Sequence, residues 1–138
     1  MLSPDATMVG LIGLCKRFIK GKETITIFDH LDLAIPRGDF VAVMGPSGSG
    51  KTTLLNLLGG IDRADQGEID VAGERIDQLS EGALARWRAS HIGFIFQFYN
   101  LMPMLTAAQN VELPLLLTRL GRKERRARVE TADRKSVV

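Results

Sequence analysis

Eight consecutive residues, Gly45-Pro46-Ser47-Gly48-Ser49-Gly50-Lys51-Thr52, satisfy the pattern G-x-x-x-x-G-K-[ST] in full. The chemistry such residues serve is the holding of phosphates. Glycines let the backbone curl so that successive N–H groups point inward, and a helix starting at the end of the loop adds its partial positive charge. Lys51 supplies a point charge for the β- and γ-phosphates. The Thr52 hydroxyl supplies an oxygen for Mg²⁺, and Thr53 follows in the first helical turn. With Gly near 7% of average composition, two fixed glycines recur by chance at roughly one position in 200. Requiring Lys and then Ser or Thr makes an accidental match rare in a chain of 138 residues. The bland alternative is a Gly/Ser-rich turn carrying an exposed lysine.

Phosphate binding needs the loop held between a strand and a helix. Residues 40–44 (Phe-Val-Ala-Val-Met) are continuously apolar, as expected of a strand covered on both faces, and residues 53–58 read as a helix ending at Gly59-Gly60. Upstream, residues 8–18 and 24–28 read as strands joined by a polar turn at Lys20-Gly21-Lys22. Leu31, Leu33 and Ile35 alternate with Asp32 and Ala34, the period of a half-exposed strand. Pro36-Arg37-Gly38-Asp39 is a turn. Downstream come a strand at 68–71, a Gly73 turn and a helix capped by Ser80. A second buried strand is expected at 92–96, delivering Gln97 at its end, with a loop to Leu105. Thr106-Ala107-Ala108-Gln109 fits a capping box opening another helix. Pro114 is expected to kink that helix, because it lacks an N–H and crowds the carbonyl of Asn110. Residues 119–138 are polar and weakly patterned.

Composition adds bounds. The length suits one domain, and an apolar share of 45% with a charged share of 25% is ordinary for a globular protein. The net charge of +2 is unevenly spread: residues 119–138 hold eight basic and three acidic side chains. No aromatic residues are interleaved there for stacking on bases, so the basic end reads as a solvated helical face rather than a nucleic-acid surface. The single cysteine, Cys15, excludes an internal disulfide, fits a reducing compartment and reads as a small core residue. No apolar run approaches the ~20 residues that cross a bilayer. No Lys or Arg precedes the first apolar segment, which argues against a signal peptide.

Taken together, Phe18, the 45–52 loop, Gly67-Glu68-Ile69 and Ile92-Gly93-Phe94-Ile95-Phe96-Gln97 resemble the ATP-binding subunit of ATP-binding cassette (ABC) transporters. Residues 98–103 (Phe-Tyr-Asn-Leu-Met-Pro), Leu105-Thr106-Ala107, Asn110-Val111 and Leu113-Pro114-Leu115 make it most similar to the lipoprotein-releasing and macrolide-export subgroup. The resemblance covers residues 11–128. It implies an α/β fold: a P-loop NTPase-type partial core with a mixed sheet, antiparallel N-terminal strands and parallel core strands, then the start of a helical subdomain. Residues 1–97 would be the nucleotide-binding core, 98–130 the start of the helical subdomain and 131–138 an irregular tail. ATP and Mg²⁺ are the implied cofactors. Phe18 would stack under the adenine, and Gln97 would be the Q-loop glutamine, contacting Mg²⁺ or water. Tyr99, Leu101, Met102 and Leu105 would receive a short helix of an integral-membrane permease. A second ATP-binding domain would complete a dimer, no nucleic acid would be bound, and the protein would lie in the cytoplasm, peripheral on the inner face of the cell membrane. The alternative for Phe18 is a strand-end core residue, and for the 99–105 loop burial under its own helix.

Other motifs of the resembled family have no counterpart in the chain. L-S-G-G-Q is absent, and Leu79-Ser80-Glu81-Gly82 precedes Gln97. No apolar strand ending in Asp-Glu follows Gln97, and both histidines, His30 and His91, precede it and read as surface residues. The general base for hydrolysis is thus expected to be missing, and the resemblance implies premature termination inside the helical subdomain. Core strands without neighbours would then expose apolar faces. Two alternatives stand beside an ATPase lineage. One is a nucleotide-binding, permease-docking module that inhibits without hydrolysis. The other is a small P-loop kinase or GTPase, for which no substrate-binding loop is evident.

Overall fold

The computed structural model describes residues 6–96 and 100–135. Residues Met1–Gly93 and Phe94–Val138 form two compact units. The chain is α/β.

In the first unit, β1 (Thr7–Lys20) and β2 (Glu23–Pro36) form a long antiparallel hairpin, with Phe18 opposite Ile25 and Lys20 opposite Glu23. The two expected strands at 24–28 and 31–35 are therefore one element. The ladder is irregular where they meet, and His30 there adopts φ 53°. On its other edge β1 pairs antiparallel with β3 (Gln66–Val71), placing Leu11 opposite Ile69 and Cys15 opposite Gln66. The turn through Ala72 and Gly73 leads to the two-residue β4 (Glu74–Arg75), giving the order β2-β1-β3-β4. β1 is thus an inner strand, which is why Leu11, Leu14 and Cys15 are fully buried. Gly67 has φ +94°, and a Cβ there would lie 2.6 Å from the Gly13 carbonyl oxygen, so the β1–β3 approach requires glycine.

Two helices close this sheet. α1 (Lys51–Leu58) buries Leu54 and Leu57, three residues apart on one face, and ends at Gly59. α2 (Glu81–His91) opens at Ser80, whose hydroxyl accepts from Ala83 N, and buries Leu84 and Trp87 at the same spacing. These side chains join Leu11, Leu14, Ile69, Val71 and Ile76 in one core. Burying each Leu or Ile contributes about 1.5–3 kcal/mol. Around the core, Asp77 accepts from Arg75 Nε and Nη2 at 2.9 and 2.8 Å and from Ile69 N at 3.0 Å.

The parallel core strands expected at 40–44 and 92–96 do not form: among the described residues the sheet is entirely antiparallel, and neither segment has a ladder partner. Phe40 is 97% exposed and Ile95 fully exposed. Continuous apolar sequence specifies burial on two faces, but a parallel strand also needs a neighbour brought back by a crossover.

In the second unit, α3 (Ala107–Glu112) begins with the expected capping box: Gln109 N donates to Thr106 Oγ1 and Thr106 N to Gln109 Oε1. Pro114 does not kink this helix. The helix ends first, and residues Leu113–Leu117 continue as a 3-10 segment in which Pro occupies the opening turn, where a missing N–H costs nothing. A last helix, α4 (Arg122–Lys135), takes in residues 131–135 of the tail expected to be irregular; residues 136–138 lie outside the described residues. Glu124 caps its start by accepting from Gly121 N, and Arg125 reaches Glu112 Oε1 at 3.2 Å.

Candidate functional site

The 45–52 loop runs directly into α1. Gly50 is the N-cap residue, in the left-handed region at φ 90°, a conformation glycine adopts without strain. A Cβ at Gly50 would also sit 2.7 Å from Ile27 Cγ2 and 3.1 Å from the Phe28 ring. β2 therefore buttresses the loop, and only glycine fits between them. Ile27 and Phe28 are site residues that the motif does not reveal. Nothing local in the sequence marks them, because the contact joins residues more than twenty positions apart.

No side chain caps α1, and its first turn carries no acidic residue. The orphan N–H groups at that end remain available, and nothing negative competes with an anion for them. Lys51 lies over the same loop. Its ammonium donates to the carbonyls of Gly45 at 2.8 Å and Pro46 at 2.7 Å and reaches Ser49 Oγ at 3.4 Å. A cleft of about 430 Å³ is lined by Ile27, Ser47, Gly48, Gly50, Lys51, Thr52 and Thr53. Lys51 is its one charged lining residue, so the cleft is electropositive. Gly45, Pro46 and Ser49 line an adjoining cleft with Phe28 and Leu31. A smaller cavity of about 150 Å³ is lined by Asp62, Asp65 and Asp77 against the single cation Arg63, and that acidic lining disfavours phosphate.

Other expected site residues are placed separately. Phe18 is partly exposed on β1 with the Lys16 ammonium 5.0 Å from its ring centroid, and it is not among the residues lining the phosphate cleft. Lys16 is itself buried and held by Asp62 Oδ1 at 2.8 Å and the Arg63 carbonyl at 2.7 Å. In the second unit, Leu101 and Met102 are exposed and Leu105 is half-buried. Asn110 braces their loop, accepting from Met102 N and donating to the carbonyls of Met102, Leu105 and Thr106. Gln97 and Tyr99 lie outside the described residues.

Comparison with known proteins decides between the phosphate chemistries. The family model for ABC transporters matches residues 28–136. The chain belongs to the ABC transporter family. It is 46% identical over 116 residues to the lipoprotein-releasing system ATP-binding protein LolD of Chromohalobacter salexigens, covering 84% of this chain and 49% of LolD. Identity is 44% over 123 residues to the macrolide export ATP-binding/permease protein MacB 1 of Yersinia pestis, covering 89% of this chain and 19% of MacB. Among solved structures, the ATP-binding cassette MJ0796, as a post-hydrolysis dimer bound to ADP and Pi, superposes with a TM-score of 0.81 at 40% identity. That match covers 90% of this chain and 55% of the cassette. The chain thus spans about half the length of LolD and of the cassette. Its P-loop is that of an ABC ATP-binding domain, and the kinase and GTPase readings fall away.

Proposed function

We propose that this chain carries the ATP-binding half-site of an ABC transporter ATPase that drives export or extraction of a substrate at the membrane. The observation that carries the reading is the 45–52 loop opening an uncapped helix, with Lys51 as the cleft's one charge. In this reading the loop N–H groups and Lys51 hold the β- and γ-phosphates. Thr52, exposed at the same cleft, contributes the protein oxygen for Mg²⁺. One hydroxyl suits that ion, which keeps several waters and takes its other ligands from the phosphates. Mg²⁺ neutralises charge on the phosphates when bound. Phe18 provides the adenine platform and Gln97 the Q-loop contact. Hydrolysis belongs to the assembled protein, in which a second ATP-binding domain faces this one.

Leu101, Met102 and Leu105, with Tyr99, form the permease-docking surface in this proposal. It places the protein on the cytoplasmic side of the membrane, held there by the permease. Among the described residues no helix is long and apolar enough to cross a membrane. A second reading keeps nucleotide binding and docking through the exposed Leu101 and Met102 but without hydrolysis.

The test is equilibrium binding of a fluorescent ATP analogue, with and without Mg²⁺, to the chain and to Thr52→Val. Losing the hydroxyl should weaken binding about tenfold in Mg²⁺ and leave metal-free binding unchanged. Equal affinities for both proteins in Mg²⁺ would remove Thr52 from the site.

A further inference from the structure

Cys15, Asp29 and His30 take no part in the chemistry proposed above. Their ligand atoms, the Cys15 sulfur, an Asp29 carboxylate oxygen and a His30 ring nitrogen, all lie within 4.8 Å of one another. We propose that these three side chains form a binding site for a soft divalent transition ion of the zinc class, with a fourth position left to water.

The fold brings them together through a defect in the β1–β2 ladder. Leu14 is opposite Leu31 and Lys16 is opposite Phe28, so Cys15 alone faces two residues of β2, Asp29 and His30. In a regular strand, neighbours point to opposite faces, and Asp29 and His30 could not both reach one partner. An extra residue in one strand breaks that alternation and re-aims a side chain. His30 makes the change of direction at φ 53°, a conformation uncommon outside glycine. The consequence is a carboxylate and an imidazole gathered over one thiol.

The donor set selects the ion. Thiolate, imidazole and carboxylate are the three ligand types of zinc, and a sulfur ligand argues against Mg²⁺ and Ca²⁺. Tetrahedral bonds of about 2.0–2.3 Å require ligand atoms roughly 3.3–3.6 Å apart. Binding therefore needs a contraction of about an ångström, and the two β2 side chains are free to supply it. Asp29 and His30 have side chains 68% and 74% exposed, and they already meet at 2.9 Å through His30 Nδ1. The sulfur is the fixed point. Cys15 is 1% exposed, its Sγ donates to the Gly13 carbonyl at 3.6 Å and accepts from His30 N at 3.4 Å. One anchored sulfur thus faces two adjustable surface ligands.

Cobalt(II) gives a direct test, because thiolate coordination produces a near-ultraviolet charge-transfer band and Cys15 is the chain's single cysteine. The full chain, stripped with chelator, is titrated with cobalt and then with zinc. The expected result is a charge-transfer band saturating at one equivalent, displaced by zinc and absent in Cys15→Ser. Because Cys15 is a core residue, two surface variants decide the matter whatever that variant does. Asp29→Asn and His30→Asn, the latter chosen because asparagine tolerates the left-handed backbone, should each weaken cobalt binding about tenfold or more. Circular dichroism confirms that both retain the fold. No charge-transfer band in the wild-type chain, or a band of unchanged affinity in both surface variants, would overturn the proposal.

Discussion

Lys51 Nζ donates to the carbonyl oxygen of Pro46 at 2.7 Å, so the cation of the phosphate loop is held by the backbone of that loop. The Gly45 carbonyl at 2.8 Å shares the load. Both contacts are between a compact ammonium and neutral oxygens, which a phosphate can replace with charged ones. The exchange favours the ligand, because an ammonium and a phosphate oxygen attract as opposite charges where the carbonyl offers only a dipole.

Lys51→Arg tests whether that geometry matters beyond the charge. A planar guanidinium presents a rigid fork where the ammonium offers three rotatable donors. Affinity for ATP should fall about tenfold, measured by fluorescence titration, despite the conserved charge. Unchanged affinity would mean the loop needs only a positive charge nearby.

Gly67→Ala tests the packing of the sheet that carries the site. The new Cβ would meet Gly13 O at 2.6 Å and Leu14 Cα at 2.7 Å. Backbone atoms cannot rotate away, and the left-handed φ adds its own strain. A loss of about 2–4 kcal/mol is expected from the urea midpoint. An unshifted midpoint would show that β1 and β3 do not approach as described.

Asp77 gives the first unit a definite acid response. The paired guanidinium of Arg75, with the Ile69 amide, holds the carboxyl below its ordinary value of 3.8, although partial burial opposes this. A group with a depressed folded value contributes stability that is full above the ordinary value. That contribution disappears as pH falls through the folded value. Wild type should therefore exceed Asp77→Asn in stability at neutral pH, and the gap should shrink below about pH 3.8. A gap that is constant with pH would place its origin outside ionisation.

The sequence made the phosphate loop readable because its function is local: glycine spacing, lysine and threonine are all within eight residues. The Ser80 and Thr106 caps were readable for the same reason, since each bonds only three residues away. Pairing was not. Residues 40–44 and 92–96 have the composition of buried strands, but pairing is decided by partners distant in the chain, and composition carries no information on whether they stand alongside. α4 is legible only as a solvated helical end without bounds, because it is polar on nearly every side and no apolar stripe marks it; the Glu124 cap and an Arg126–Glu130 pair at i,i+4 support it. The buttress of Ile27 and Phe28 against Gly50 was hidden because it joins β2 to a loop more than twenty residues later.

Nucleotide binding at the 45–52 loop is tested most directly by calorimetric titration with Mg·ATP. The wild-type chain should bind one equivalent. Lys51→Ala should lose about 10- to 100-fold in affinity, the worth of a charge-assisted contact, while its thermal midpoint stays within a few degrees. Equal affinity in the two proteins, or no binding by the wild type, would contradict the assignment of this cleft.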